Sequence, residues 1–163
     1  EVVTFDPSQL SDLPEGRHAT VLATSTAESS IVVERSLTRA VDDSIATSVI
    51  AGATPRQDGH VATTWYLAAG PFEPTASALI VYNADMADGL VSVYAVGTSG
   101  PVPVAGLHDL PIPPAGFVVI DLTDPIVLGR QLVVESSTRV FVERSYPTGR
   151  GNTRTTSWAV PAG

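Results

Sequence analysis

The chain has 163 residues, enough for one or two domains with a hydrophobic core, and 44% of its residues are apolar, as in ordinary globular proteins. Its formal net charge is −8 and its nine basic residues are all arginine, so it lacks the basic patch that nucleic-acid binding requires. It has no cysteine, which excludes disulfides and thiolate metal sites, and no apolar run approaches the roughly 20 residues of a membrane-spanning helix.

Short segments rich in β-branched residues predict strands, and residues typical of turns separate them. Prolines concentrate in Gly100–Gly116, which predicts an edge or crossover segment because proline cannot donate to a β-ladder. The loop Asn83–Gly89 ends in Asp-Gly and predicts a hairpin. In chain order the predicted strands are Val2–Phe5, Ala19–Ala23, Ser30–Glu34, Ala46–Ile50, Thr63–Ala68, Ala78–Tyr82, Val91–Val96, Phe117–Leu122, Leu132–Glu135, Arg139–Glu143 and Thr155–Val160.

Apolar and polar residues alternate with a period of two in several of these segments. Val91, Val93 and Ala95, for example, alternate with Ser92 and Tyr94. This pattern is typical of antiparallel sheets that pack one face on a single core. We therefore expect an all-β protein, an antiparallel immunoglobulin-like β-sandwich of about seven to ten strands. The expected core is Val32, Val33, Trp65, Leu79, Val81, Val91, Val93, Val119, Val133, Val140 and Val142, with Trp158 as an addition.

The segment Ile31–Ser36 recurs with few changes at Val140–Ser145, a spacing of 109 residues. A solenoid unit recurs every 20–50 residues or so, whereas this spacing is the length of a small domain. We interpret the chain as part of a tandem array: the rear half of one β-module at 1–52, a linker at 53–61, and a complete module with the first strand of a further one at 62–163. A half-module has open sheet edges. It either closes with the rest of the chain into a single sandwich or pairs with a neighbouring molecule.

Several motifs in the second part of the chain resemble a known family. The tandem β-modules of actinobacterial exported proteins, the DUF5719-like family, contain strands and turns similar to Thr63–Gly70, Leu79–Asn83, Ile112–Gly116 and Val142–Ser145. Ala69 departs from the family pattern, in which an acidic residue is usual there. The resemblance implies an exported β-sandwich. The family has no established activity, so the resemblance implies no catalytic residue.

The repeated Val-Glu-Arg-Ser motif places Glu34 and Arg35 in the first copy and Glu143 and Arg144 in the second. One interpretation is an assembly contact through these four side chains. The other is a strand whose charged residues meet cross-strand partners on a solvent-exposed face. Both interpretations require the motif to lie in a strand.

Five aromatic residues form a candidate binding platform: Trp65, Tyr66, Tyr82, Tyr94 and Trp158. Aromatic faces can bind the apolar faces of sugar rings much as they bind one another. The alternative is that the tryptophans fill the core, as a buried tryptophan does in other sandwiches.

Catalytic and metal sites have little support in the sequence. The three histidines, His18, His60 and His108, lack the spacing of metal ligands, and no nucleophile elbow is present. His108-Asp109 and abundant serine leave a hydrolase as a remote alternative. We expect no enzyme activity, cofactor or metal. The acidic pairs considered for calcium fit solvated turns better; they are Asp42-Asp43, Asp85 with Asp88, and Asp121 with Asp124.

The expected function is therefore a non-enzymatic structural, adhesive or assembly module of an extracellular or cell-surface protein. Its expected partners are other copies of itself or neighbouring modules. The alternative is a carbohydrate-binding module with a glycan as partner, which requires at least two aromatic side chains exposed on one face.

Overall fold

The computed structural model describes residues 6, 34–41, 44–51, 61–147 and 154–162. Within these residues the regular structure consists of β-strands and one short 3-10 turn at Pro125–Val127. The strands are β1 Glu34–Val41, β2 Ser44–Ala51, β3 Ala62–Leu67, β4 Ala78–Asn83, β5 Gly89–Gly97, β6 Gly100–Pro103, β7 Leu110–Ile112, β8 Phe117–Asp121, β9 Leu132–Pro147, β10 Arg154–Trp158 and β11 Val160–Pro161.

The 16-residue strand β9 is the common partner of four other strands. Its first half pairs with β3 along one edge and with β5 along the other. Its second half pairs with β10 along the first edge and with β4 along the second. All of these pairings are antiparallel, and β4 is extended by β8. The sheet is therefore built around β9, and its pairing does not close into a barrel.

Alternation along the strands divides the sheet into a core face and an outer face. Trp65 of β3 and Val93 of β5 both lie opposite Val134 of β9, and all three are buried. Paired residues share a face, so this row marks the core side. The same side continues along β9 through Val140 and Val142, and all of these residues belong to one buried apolar cluster.

The predicted role of the Pro-rich segment is confirmed. β6 and β7 pair with opposite ends of β5 and lie on its outer edge. Their prolines are Pro101, Pro103 and Pro111. An edge strand leaves one side unpaired, so the missing N–H of a proline costs no ladder bond there.

The loop after β4 is fixed by polar side chains. Asn83 is fully buried; its Nδ2 donates to the carbonyls of Ala87 (2.7 Å) and Pro113 (3.1 Å), and its Oδ1 accepts from the backbone N–H of Asp85 (3.0 Å). Asp85 in turn accepts from the backbone N–H and Nε of Arg139, both at 2.8 Å. The loop is thereby attached to the middle of β9.

Strands β1 and β2 form a two-stranded antiparallel sheet of their own, here named the N-terminal hairpin. It reaches the large sheet through side chains. The indole Nε1 of Trp158 donates to the carbonyl of Ala51 at 2.8 Å, and Arg35 donates to the carboxylate of Glu143. An isolated two-stranded sheet is marginally stable in water, so these contacts stabilise the hairpin.

The prediction of an all-β, antiparallel protein is confirmed, and in the described residues no helix is long and apolar enough to cross a membrane. Leu132–Glu135 and Arg139–Glu143, predicted as two strands, are parts of the single strand β9, because hydroxyl side chains bridge the serine- and threonine-rich middle. The predicted strands before Glu34 lie outside the described residues. So does the predicted linker at 53–61, apart from its last residue, Val61.

Most of the predicted core is buried, with two exceptions. Val119 is only half-buried, since it lies on β8 at the side of the sheet. Trp158 is 38% exposed. It lies opposite Glu143 on β9, so its side chain is on the outer face and not on the core face. Trp158 is therefore not a core residue. Val32 and Val33 are outside the described residues.

Candidate functional site

Two tyrosines lie in one row on the outer face of the sheet. Tyr66 of β3 and Tyr94 of β5 are both directly opposite Val133 of β9. Adjacent strands are about 5 Å apart, so the two tyrosine backbones are about 10 Å apart across the sheet. Tyr66 is 50% exposed and Tyr94 is half-buried. Both were predicted as binding residues, and the fold brings them onto the same face.

A polar row lies beside the tyrosine row. Glu135 of β9 is exposed and lies opposite Ser92 of β5 on one edge and Thr64 of β3 on the other. Glu135 is two residues beyond Val133 on β9, and Ser92 is two residues before Tyr94 on β5, so both lie in the row next to Tyr94. We name this surface the tyrosine face; its members are Thr64, Tyr66, Ser92, Tyr94, Val133 and Glu135.

The loop between β6 and β7 covers one side of the tyrosine face. The backbone N–H of Asp109 donates to Ser92 Oγ at 3.0 Å, and Asp109 has a φ of 52°, which is strained for a residue other than glycine. His108 packs its ring edge-on against Tyr94, with centroids 5.0 Å apart. Its buried Nε2 has no hydrogen-bond partner in the described part of the chain. The loop therefore places an imidazole and a carboxylate next to Tyr94.

The surroundings of Tyr94 disfavour its ionised form. Burial, and then the negative charge and hydrogen bond of Glu135, raise the pKa of the Tyr94 hydroxyl above its usual value, and the more distant Asp109 acts in the same direction. Tyr94 is consequently a neutral hydrogen-bonding group at ordinary pH. The carboxylates of Glu135 and Asp109 make this part of the face electronegative.

A second aromatic group lies further along β9, where both faces of the strand are buried and Phe141 belongs to the buried apolar cluster. Phe141 of β9 is opposite Tyr82 of β4, and its ring centroid is 6.3 Å from those of both Tyr82 and Trp158. Phe141 is eight residues from Val133 on β9, and the register between β9 and β3 shifts between Glu135 and Val140. The five predicted platform residues therefore lie in three separate places. Tyr66 and Tyr94 are on the tyrosine face, and Tyr82 and Trp158 are beside Phe141. Trp65 is in the core, where its Nε1 donates to the carbonyl of Ala62.

The two copies of the repeated motif meet at this second group. Glu143 is 4% exposed on the outer side of β9, and Arg35, from the first copy, donates to its carboxylate. A buried carboxylate without a cation is strongly unfavourable, so Arg35 offsets the cost of burying Glu143. We name this surface the docking face; its members are Ile80, Tyr82, Phe141, Glu143 and Trp158. Glu34, the neighbour of Arg35, is exposed.

Arg144 is buried, whereas both interpretations of the motif place its charge where it can contact a partner at the surface. It is 5% exposed, on the core side of β9; its Nε donates to Ser77 Oγ (3.3 Å) and its Nη1 to the Ala68 carbonyl (3.2 Å). Burial lowers the pKa of its guanidinium below the usual value. The guanidinium packs so closely on Gly70 that an added Cβ would lie 2.0 Å from it. Arg144 therefore holds the 68–77 segment and does not present a charge on the surface.

Three contributors to these surfaces were missed in the sequence. Phe141 lies between Tyr82 and Trp158, and Glu135 and Ser92 form the polar row beside Tyr94. Their period-two spacing from Val133 and Glu143 along β9, and from Tyr94 along β5, is the signal that could have found them. The spacing does not show which strands pair, and it is strand pairing that brings these three residues to the two surfaces.

The arrangement has the groups for binding more clearly than those for catalysis. Ser92 Oγ accepts a hydrogen bond from the Asp109 N–H. In the described ranges no three His, Asp or Glu side chains are grouped so as to hold a metal ion. The tyrosine face offers aromatic rings with hydrogen-bonding groups beside them, which suits reversible binding of a small polar molecule.

Comparison with known proteins gives a likeness of fold. No protein-family model and no curated protein matches the chain. Among solved structures, the crystal structure of Thermotoga maritima 1070 is similar, with a TM-score of 0.51 and 18% sequence identity over 65% of this chain and 97% of that chain. At this identity the likeness concerns the fold alone. The resemblance to the actinobacterial exported modules stays a prediction.

Proposed function

We propose that the chain is a non-enzymatic structural and assembly module of an extracellular or cell-surface protein, in which the N-terminal hairpin of one unit docks on the outer face of the next. The observation that carries the proposal is the ion pair between Arg35 and the buried Glu143, because these residues come from the two copies of the repeated motif. The partner is a neighbouring module of the same chain or a second copy of it.

The local structure around the two motif copies supports this proposal. The described part of the first copy, 34–36, and the second copy both lie in strands with an antiparallel partner: Arg35 is opposite Ile50, and Arg144 is opposite Ser157. A hairpin that resembles part of the complete unit, and that contacts its outer face, is the relationship expected between successive modules. An immunoglobulin-like sandwich is part of the proposal, supported by a single core cluster that includes residues of β3, β4, β5, β7, β8 and β9.

A double-mutant cycle on the docking contact tests the proposal. We expect Arg35→Ala to weaken docking by about 2 kcal/mol, since it leaves a buried carboxylate unpaired while Arg35 itself is partly exposed. Glu143→Gln combined with Arg35→Ala should cost less than the sum of the single changes. The readout is acrylamide quenching of Trp158, which hydrogen-bonds the hairpin and should become more accessible on undocking.

Arg139→Ala is the matched control, because it breaks an exposed ion pair with Asp85 away from the hairpin. It should leave the quenching of Trp158 unchanged. Native mass across a concentration series then separates docking within one chain from docking between copies. Additive single changes, with no effect of Arg35→Ala on mass or quenching, would refute the assembly function.

A second candidate function, carbohydrate binding, is favoured by the tyrosine face. Tyr66 and Tyr94 lie in one row with hydrogen-bonding groups beside them, which is the combination that a sugar ring requires. We expect Tyr66→Ala to abolish most glycan binding measured on an array, while Phe72→Ala, at another exposed aromatic residue, should have no effect. Binding that survives Tyr66→Ala would place the glycan elsewhere.

A further inference from the structure

The tyrosine face is strongly asymmetric in charge. Glu135 lies opposite Ser92 in the row next to Tyr94, and the N–H of Asp109 donates to Ser92 Oγ in that same row. The charges of both carboxylates act on the Tyr94 hydroxyl. Among the described residues, Arg139 is four residues from Glu135 along β9 and is paired with Asp85, and Arg130, which precedes β9, lies beside Gly97. Gly97 is three residues beyond Tyr94 on β5, about 10 Å along the strand. The ion pairs in the described part of the chain do not include Glu135 or Asp109, so two carboxylates act on the face without a paired cation there.

The apolar part of the face has a defined shape. Val133 is 5% exposed and forms the floor between the two tyrosines. The Tyr94 ring is half-buried and packs against the edge-on ring of His108. Tyr66 has no such restraint in the described contacts and exposes half of its surface. One fixed ring and one accessible ring thus flank an apolar floor.

A ligand must satisfy both parts of this surface. A pyranose ring can stack an apolar face on Tyr66, as aromatic rings stack on one another. A protonated amine can donate charge-assisted hydrogen bonds to a carboxylate and is also attracted to the face of a tyrosine ring. A sugar with a carboxylate or sulfate would instead be repelled by Glu135 and Asp109.

We infer that the tyrosine face binds an amino sugar, with the pyranose ring against Tyr66 and the protonated amine at Glu135. This inference rests on the carbohydrate-binding function proposed above and names its ligand class. Asp109 adds a longer-range attraction for the amine. His108 is a positioning residue, because it contacts the Tyr94 ring.

The test is calorimetric titration of the whole chain with a glucosamine tetrasaccharide and with its fully N-acetylated counterpart. We expect the free amine form to bind about tenfold more tightly, the difference that one charge-assisted hydrogen bond contributes. Glu135→Gln should remove this preference while retaining the side-chain shape. Tyr66→Ala should weaken both sugars by about tenfold through loss of stacking.

Glu73→Gln is the matched control, since it removes an exposed carboxylate away from the face. It should change neither affinity. Both Glu135 and Tyr66 are exposed, so their variants should fold, and circular dichroism checks this.

The outcomes separate this inference from the function on which it rests. Equal binding of the two sugars that is weakened by Tyr66→Ala would overturn the amino-sugar inference and leave carbohydrate binding in place. Binding of neither sugar would overturn the amino-sugar inference, and the glycan array then decides separately whether other sugars bind. Preference for the amine that is insensitive to both Tyr66→Ala and Glu135→Gln would reflect general attraction to an acidic chain and would also overturn the inference.

Discussion

At the scale of single residues, Asn83 shows how one buried polar side chain organises two loops. Its amide group makes three hydrogen bonds, to Ala87, Pro113 and Asp85, and has no exposed surface. Buried amides are tolerated when their donors and acceptors are satisfied. Asn83 therefore fixes the β4–β5 loop and the turn before β8 relative to each other.

Asn83→Ala should destabilise the protein by about 3 kcal/mol, because two carbonyls and one N–H lose the partner that this fully buried side chain supplies. Urea unfolding measures the change. Asp88→Ala, at an exposed position in the same loop, is the control and should cost less than about 0.5 kcal/mol. Equal effects of the two substitutions would mean that the hydrogen bonds of Asn83 are not important for stability.

Single residues also show where sequence patterns reach their limit. Trp65 and Trp158 each follow a run of threonine and serine residues, yet Trp65 is 3% exposed and Trp158 is 38% exposed. The difference comes from the partner on β9: Trp65 is opposite Val134 on the core side, and Trp158 is opposite Glu143 on the outer side. Alternation predicts that neighbouring residues face opposite ways, and the pairing register decides which way each one faces.

At the scale of elements, β9 joins the two parts of the sheet through a short stretch without ladder pairs on its β4–β5 edge. Pairing with β5 ends at Ser136 and pairing with β4 begins at Val140. Between them Ser137 Oγ accepts from the Leu90 N–H at 2.9 Å. The sequence here resembles a turn, so the continuous strand could not be predicted from it; the hydroxyl groups substitute for the missing backbone bonds.

Gly89 is closely packed against this stretch and provides a test of it. A Cβ at Gly89 would lie 2.4 Å from Thr138 Oγ1, so Gly89→Ala should destabilise the protein by about 2 kcal/mol through overpacking. Adding Thr138→Ala should recover part of that loss, which a double-mutant cycle by thermal unfolding measures. Simple additivity would show that Gly89 is required for another reason, such as its contact with Ile112.

At the scale of the whole molecule, the large sheet and the N-terminal hairpin differ in how they are supported. Strand β9 is paired along both edges for most of its length, and its core-side residues are buried. The hairpin is a two-stranded sheet held to the rest by side chains of Arg35 and Trp158. The all-β class, the edge role of the prolines and most core residues could be predicted, because they depend on local pattern. The meeting of the two motif copies could not, because it depends on tertiary contact.

Hydrogen exchange should reflect this difference. We expect the amides of Val134 and Val142 to exchange only on global unfolding, and those of β1 to exchange earlier through local opening of the hairpin. Arg35→Ala should accelerate exchange in β1 without affecting β9. Equal protection of β1 and β9 in the unmodified chain would contradict the expectation that β1 exchanges before β9.

The position of β9 also determines the order in which the chain can fold as it is synthesised. β4 can pair with β8, and β5 with β6 and β7, before residue 132 has been made, but among the described strands β3 has only β9 and β11 as partners. Until the ribosome has released β9, β3 and one edge each of β4 and β5 stay unpaired, and such edges promote aggregation. Slower translation across this region would therefore prolong the vulnerable interval, and a chaperone that binds nascent β-strands would be most useful there.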